Sequence, residues 1–208
     1  MADGRFITLE GGEGVGKTTN LEFVVDRLKQ HGLDVVVTRE PGGTPVAEEL
    51  RDLLLRVRDD EMVPLAELLL MFAGRAQHVE QLVKPALAKG QWVVCDRFTD
   101  ATYAYQGGGR GIDDKQIALL EEMVQGPLRP DLTIYLDVPV QIAAERIAGR
   151  EHDRIERERV EFFESVRATY IARAREYSRI QLVDAAADIE QVQADIALIL
   201  DYFVGSAD

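Results

Sequence analysis

Gly11-Gly12-Glu13-Gly14-Val15-Gly16-Lys17-Thr18, followed by Thr19, has the spacing G-x-x-x-x-G-K-[ST] of a phosphate-binding loop. The glycines let successive backbone N–H groups turn inward and form a concave anion nest. Lys17 supplies a mobile cation for the outer phosphates of a nucleotide, and the Thr18 hydroxyl can hold Mg2+. The flanks support this reading over a merely flexible glycine-rich turn. Phe6-Ile7-Thr8-Leu9 reads as a short buried strand, and Leu21, Val24, Val25 and Leu28 share one face of a following helix. A loop at that junction sets the helix N-terminus, with its partial positive charge, under the anion.

Working outward, strand-like apolar runs recur at 5–9, 34–38, 91–95, 132–137 and 180–183, with helical stretches between them. Such alternation implies parallel strands with crossover helices. The expected fold class is therefore α/β, a three-layer α/β/α sandwich around a five-stranded parallel sheet. The 208 residues suffice for one domain with a short lid. Pro64 opens a helix that runs towards Lys89-Gly90 with a kink before Pro85, and Asp113 is the expected N-cap of a helix over 115–124. Within 158–178, Val160, Phe163, Val166, Tyr170, Ala174 and Tyr177 fall at helical steps and predict a core-facing stripe. Gly107-Gly108-Gly109-Arg110-Gly111 reads as a permissive loop. The stretch from Arg150 to Arg157, dense in charge of both signs, reads as the mobile lid, placed at about 147–159, although on charge alone a salt-bridged, solvated helix face is the better reading.

The formal net charge of −13 argues against broad nucleic-acid binding, which needs a basic face. No apolar run is long enough to span a bilayer, and the N-terminus passes straight into the first strand instead of a signal peptide. The lone cysteine, Cys95, sits in a buried strand as a small hydrophobe. A cytoplasmic, reducing setting is expected. His31 reads as a helix terminus, His78 as a helix-surface or dimer residue and His152 as part of the lid; none is assigned a catalytic role.

A phosphate-binding loop alone does not name a reaction. No Asn-Lys-x-Asp element for guanine readout is present. Val93-Val94-Cys95-Asp96 is the best candidate for an acidic strand end, and Arg97 follows directly. That pair puts a carboxylate and a guanidinium at the mouth of the sheet, where ligands bind in open α/β folds. Arg97 can fork onto a phosphate, while Asp96 orients it or acts through the water shell of a metal ion.

The chain resembles the thymidylate kinases, enzymes that phosphorylate dTMP to dTDP with ATP. The resemblance rests on Leu9 to Thr19, Thr38-Arg39-Glu40-Pro41-Gly42-Gly43-Thr44, Asp96-Arg97-Phe98, Ala104-Tyr105-Gln106-Gly107-Gly108, Asp131 to Asp137 and Asp153-Arg154-Ile155-Glu156, in the family's order and across nearly the whole chain. The Arg-Glu-Pro-Gly-Gly and Ala-Tyr-Gln-Gly-Gly elements are far more specific than the phosphate loop. The bacterial form is the nearest.

That resemblance implies ATP and Mg2+ as cofactors, dTMP as substrate and a homodimer. Glu10, Glu13 and the loop with Arg39 and Pro41 would border the acceptor, with Glu13 near the sugar 3′-hydroxyl. Arg75 would bond the thymine carbonyl; either Phe72 or Met71 would stack on the base, with Phe72 preferred. Thr102 and Gln106 would read the pyrimidine edge, and Tyr105 would pack beneath the deoxyribose. Gly14 stands where some relatives carry an arginine, so the lid would supply the catalytic cation, Arg154 first and Arg150 second. The expected chemistry is in-line transfer with charge compensation by Lys17, Arg97, Arg154 and Mg2+, and Mg2+ would meet Thr18 and, secondarily, Asp96. Two other readings stay open: a kinase for another nucleoside monophosphate, and a regulatory ATPase that uses the loop as a switch.

Overall fold

The strand-forming stretches are rich in Val, Ile and Leu because each is covered on both faces, as parallel strands are. In the computed structural model, which describes residues 4–149 and 153–206, they are β1 (Phe6–Glu10), β2 (Val35–Arg39), β3 (Trp92–Asp96), β4 (Leu132–Asp137) and β5 (Ile180–Asp184). They pair in parallel in the order β2-β3-β1-β4-β5, with Leu9 opposite Asp96 and Ile134. Because all strands run the same way, their polar last residues Glu10, Arg39, Asp96, Asp137 and Asp184 gather along one edge.

The helices are α1 (Lys17–Gln30), α2 (Pro45–Leu55), α3 (Pro64–His78), α4 (Lys84–Ala88), α5 (Thr99–Thr102), α6 (Asp114–Gln125), α7 (Val140–Ile147), α8 (Val160–Glu176) and α9 (Ile189–Gly205). Alternate strand residues face opposite layers. Ile7, Leu9, Val94 and Ile134 meet Val24 and Leu28 of α1 and Ile196 and Leu200 of α9. Phe6, Val93 and Cys95 face Val79, Val83 and Phe98 on the other side. Each fully buried aliphatic side chain contributes about 1.5–3 kcal/mol. Among the described residues no helix is long and apolar enough to cross a membrane.

The expected kink before Pro85 takes the form of a π stretch, Val79–Val83, between α3 and α4. Proline lacks an N–H for the helical ladder, and a wider turn accommodates it. Asp113 caps α6, its Oδ1 accepting from the Lys115 N–H at 2.9 Å.

Two local readings are corrected. Gly107 to Gly109 are not a permissive loop; they lie in a second π stretch, Tyr103–Gly109, that continues α5 and lies directly against α8. A Cβ on Gly108 would stand 2.2 Å from Thr169 Oγ1 and 2.9 Å from the Ser165 carbonyl. The glycines are there for close approach. On α8 the core stripe is Phe162, Val166 and Tyr170, whereas Val160 and Tyr177 are exposed. The apolar residues at both ends shift the phase read from the sequence.

Candidate active site

The phosphate loop leaves β1 at Glu10 and enters α1 at Lys17. Gly16 holds a left-handed conformation (φ 86°) at the α1 N-terminus, which glycine adopts without strain. Gly14 is hemmed in by α7: a Cβ there would meet the Ala143 carbonyl at 2.3 Å. A side chain at this position has no room. Lys17 folds over the loop, its Nζ donating to the Gly12 carbonyl at 2.8 Å. Burial, followed by the neighbouring charge of Arg97, lowers its pKa from the usual lysine value.

A cavity of about 670 Å³ opens in front of this loop. Glu13, Gly14, Gly16, Lys17, Thr18 and Thr19 line it from the phosphate loop and α1, and Arg39, Pro41, Asp96, Arg97, Tyr105 and Gln106 from other elements. Arg97 has a left-handed backbone (φ 67°), uncommon for a side chain this large. The Phe98 N–H that follows is held by Glu10 Oε1 at 2.7 Å. This turn carries the Arg97 guanidinium onto the Gly11 carbonyl and Glu13, with the Tyr105 ring 4.9 Å beneath it. Asp96 Oδ1 is a buried acceptor without a hydrogen-bond partner on the chain. With the Thr18 hydroxyl across the same cavity, it suits a hydrated divalent cation.

Glu10 itself does not line the cavity. It is fully buried, with Oε2 accepting from the Tyr170 hydroxyl at 2.7 Å. Burial, and then the negative charge of Asp100, raise its pKa to about 8. Its place is under Arg97, supporting the turn. Gly11, Gly12 and Val15 complete the loop, with Val15 packed into the main core. Gly12 also borders a separate, mainly apolar cavity between α7 and α8.

A buried polar network centres on α3. Arg75 is 1% exposed. Its Nε donates to Glu40 Oε2 at 2.8 Å and its Nη2 to Thr102 Oγ1 at 2.9 Å, while Nη1 is buried without a partner. Glu40 also holds His78 Nδ1 at 2.8 Å, and His78 Nε2 meets Thr38 Oγ1 at 2.8 Å. His78, read from sequence as a helix-surface or dimer residue, is thus a fully buried link between α3 and the end of β2. Burial pushes the Glu40 carboxyl up, but Arg75 and His78 outweigh it and the net pKa lies below the usual value. Phe72 lies under Arg75, its ring 4.8 Å from the guanidinium, in a cluster with Leu68, Tyr103 and Ile117. Met71, not Phe72, is the α3 residue that lines the cavity.

The lid arginines divide. Arg150, like His152, lies outside the described residues. Arg154 turns to α2 and α3: its Nη2 donates to Glu67 Oε2 and its Nε to the Leu54 carbonyl, each at 2.7 Å, and its N–H meets the Leu55 carbonyl at 3.1 Å. Glu67 and Arg110, its second guanidinium partner, are not singled out by the sequence reading. The signal is nevertheless present. Glu67, Met71 and Arg75 lie at i, i+4 and i+8, so an acid shares the helix face of the buried arginine. Arg51, whose Nη1 donates to the Pro41 carbonyl at 2.9 Å, is a further cavity cation missed for want of any motif.

A phosphate cradle, a left-handed arginine at the sheet mouth and buried, partly unpaired donors across the cavity suit two phosphorylated ligands face to face. Comparison with known proteins agrees. Residues 9–196 match the family model for thymidylate kinase. The chain is 59% identical over 201 residues to a thymidylate kinase of Chromohalobacter salexigens, covering 95% of each. It is 57% identical over 199 residues to one of Pseudomonas putida, again with 95% of each covered. The crystal structure of thymidylate kinase from Ehrlichia chaffeensis superposes with a TM-score of 0.78 at 33% identity, over 96% of this chain and 99% of that one. With the match running from the phosphate loop through to α9, this chain belongs to the thymidylate kinase family.

Proposed function

We propose that the cavity aligns ATP and dTMP for in-line transfer, with ATP phosphates on residues 11–19 and dTMP against Arg97, Arg75, Thr102 and Gln106. The reaction of the family is phosphorylation of dTMP to dTDP. The observation that carries the placement is a set of buried, unpartnered polar atoms on the acceptor side. Arg75 Nη1 is a donor and Gln106 Oε1 an acceptor, and both lack partners on the chain. A thymine ring offers the complements, a carbonyl and an N3–H, and buried polar atoms left unpaired are otherwise rare.

The residues then divide the work. The loop N–H groups and the α1 N-terminus hold the donor phosphates, and Lys17 swings from the Gly12 carbonyl onto them. Thr18 and Asp96 would hold Mg2+, which supplies charge neutralisation between the phosphates. Arg97 leaves the Gly11 carbonyl and Glu13 to bind the acceptor phosphate. That phosphate is already anionic near neutral pH, so alignment and charge compensation suffice without a strong general base. Arg154 serves the transferring group after the lid, residues 147–159, lets go of Glu67; closure excludes water. The chain acts as one kinase domain. Exposed Leu65 and Leu69 on α3, with Leu119 and Met123 on the neighbouring α6, form the face we assign to a homodimer.

ADP release measured over dTMP, dUMP, UMP, CMP and AMP tests the assignment. Turnover should be highest with dTMP. A marked preference for another acceptor, or ATP hydrolysis indifferent to all five, would overturn it.

A further inference from the structure

Glu67, 1% exposed, lies behind Gln106 of the cavity wall, and each of its oxygens has a partner of its own besides Arg110, which reaches both. Oε1 accepts from Gln106 Nε2 at 2.8 Å and from Arg110 Nε at 3.2 Å. Oε2 accepts from Arg154 Nη2 at 2.7 Å and meets Arg110 Nη2 at 3.2 Å. Arg110 also donates to Glu158 of the lid at 2.6 Å, so two guanidiniums face two carboxylates. Burial raises the Glu67 pKa, but the bonds from Gln106, Arg110 and Arg154 outweigh it and keep the group ionised at neutral pH.

An ionised carboxylate can only accept. Gln106 must therefore turn its NH2 towards Glu67, which leaves its carbonyl, Oε1, as the buried unpartnered atom. Glu67 touches no reacting atom, but it decides which end of the amide the pocket sees. We infer that Glu67 is a positioning residue for acceptor selectivity: by fixing the Gln106 amide it makes the pocket accept a ring N–H, as in thymine or uracil, and reject a ring nitrogen that itself accepts, as in cytosine. The inference rests on the placement of the base beside Gln106 proposed above.

The Glu67→Gln variant keeps the shape and inverts the grammar. Arg154, a donor only, holds the new carbonyl at the Oε2 position through its 2.7 Å bond. The new NH2 then occupies the Oε1 position, gives up the longer 3.2 Å bond from Arg110 Nε and faces Gln106. Gln106 must turn its own carbonyl to it and present NH2 to the base, donor against donor for thymine N3–H. One buried unsatisfied bond corresponds to a loss of about ten- to hundredfold.

The experiment measures kcat/KM for dTMP and dCMP in the wild type, Glu67→Gln, Gln106→Ala and the swap Glu67→Gln/Gln106→Glu. In the swap, the carboxylate introduced at position 106 accepts from the amide NH2 introduced at position 67 with one oxygen and from the base with the other. The expected result is a dTMP-over-dCMP ratio reduced at least about tenfold in Glu67→Gln and restored towards wild type in the swap. General loosening of the fold would lower both acceptors together and would not be repaired by a second change. An unaltered ratio in Glu67→Gln, with Gln106→Ala collapsing it, overturns the role of Glu67 alone. An unaltered ratio in Gln106→Ala as well overturns the underlying base placement. Should Glu67→Gln fail to fold, the swap decides: recovery of the dTMP preference sustains the inference and its absence overturns it.

Discussion

Replacing Gly108 by alanine probes the contact between the π stretch and α8. The added Cβ would stand 2.2 Å from Thr169 Oγ1, 2.9 Å from the Ser165 carbonyl and 3.1 Å from Thr169 Cβ. The hydroxyl can rotate away, but it then gives up its 2.9 Å bond to the Ser165 carbonyl. The carbonyl belongs to the α8 backbone and cannot move alone, so the two elements must separate. Overpacking of this kind costs about 2–3 kcal/mol. For a chain of this size each kcal/mol moves Tm by about 2–4 °C, giving an expected fall of about 4–12 °C. Tyr105 and Gln106 ride on the same stretch, so KM for dTMP should rise while ATP binding is unchanged. Adding Thr169→Ala removes the hydroxyl clash and should recover part, not all, of the loss. Gly205→Ala, where nothing lies within 4 Å of the new Cβ, serves as the control. Calorimetric melting and an ADP-release assay read both effects. A Gly108→Ala protein melting with the wild type would refute the close-approach argument.

Arg75→Met should destabilise the fold by about 3–5 kcal/mol in urea titration, because Glu40 remains buried with only His78 to offset it; a loss under about 1 kcal/mol would contradict that. Glu10 carries a pH signature. Its folded pKa is raised to about 8, so between about pH 5 and 8 the folded chain keeps a proton that the unfolded chain releases. This group's contribution therefore falls as pH rises through that window. The stability gap between wild type and Glu10→Gln should change with pH there, and parallel curves would count against a neutral Glu10. Lys17→Ala should reduce kcat by at least about a hundredfold with little change in melting temperature, since the side chain bonds only loop carbonyls. A coincident loss of fold and activity would show a structural role instead.

The sheet is legible nearly to the residue because buried β-branched runs have few other uses. Four expected strands stop one residue early, before Glu10, Arg39, Asp96 and Asp184, since a terminal charge reads as loop although the ladder continues: Arg39 pairs with Asp96 and Asp137 with Asp184. Motif chemistry places Lys17, Arg97 and Gln106 on the cavity wall. Contacts between distant segments are beyond reach. The partners of His78, Thr38 and Glu40, lie about forty residues away, and nothing local reveals them. Glycine has the same local meaning in a loop and against a neighbouring helix, so Gly108 reads as loop until α8 is placed behind it. Arg154 is expected at the donor, whereas its hydrogen bonds run to Glu67 and Leu54, a choice made by three-dimensional charge balance that no spacing rule encodes.

Arg97 occupies backbone territory that glycine or asparagine would tolerate better, by about 1–2 kcal/mol in the glycine case. A directed-evolution campaign scored on heat resistance alone would weigh that relief only against the guanidinium's contacts with Gly11, Glu13 and Tyr105, and would be blind to the phosphate-binding role proposed for it. Any such screen on this scaffold has to count product formed as well as survivors.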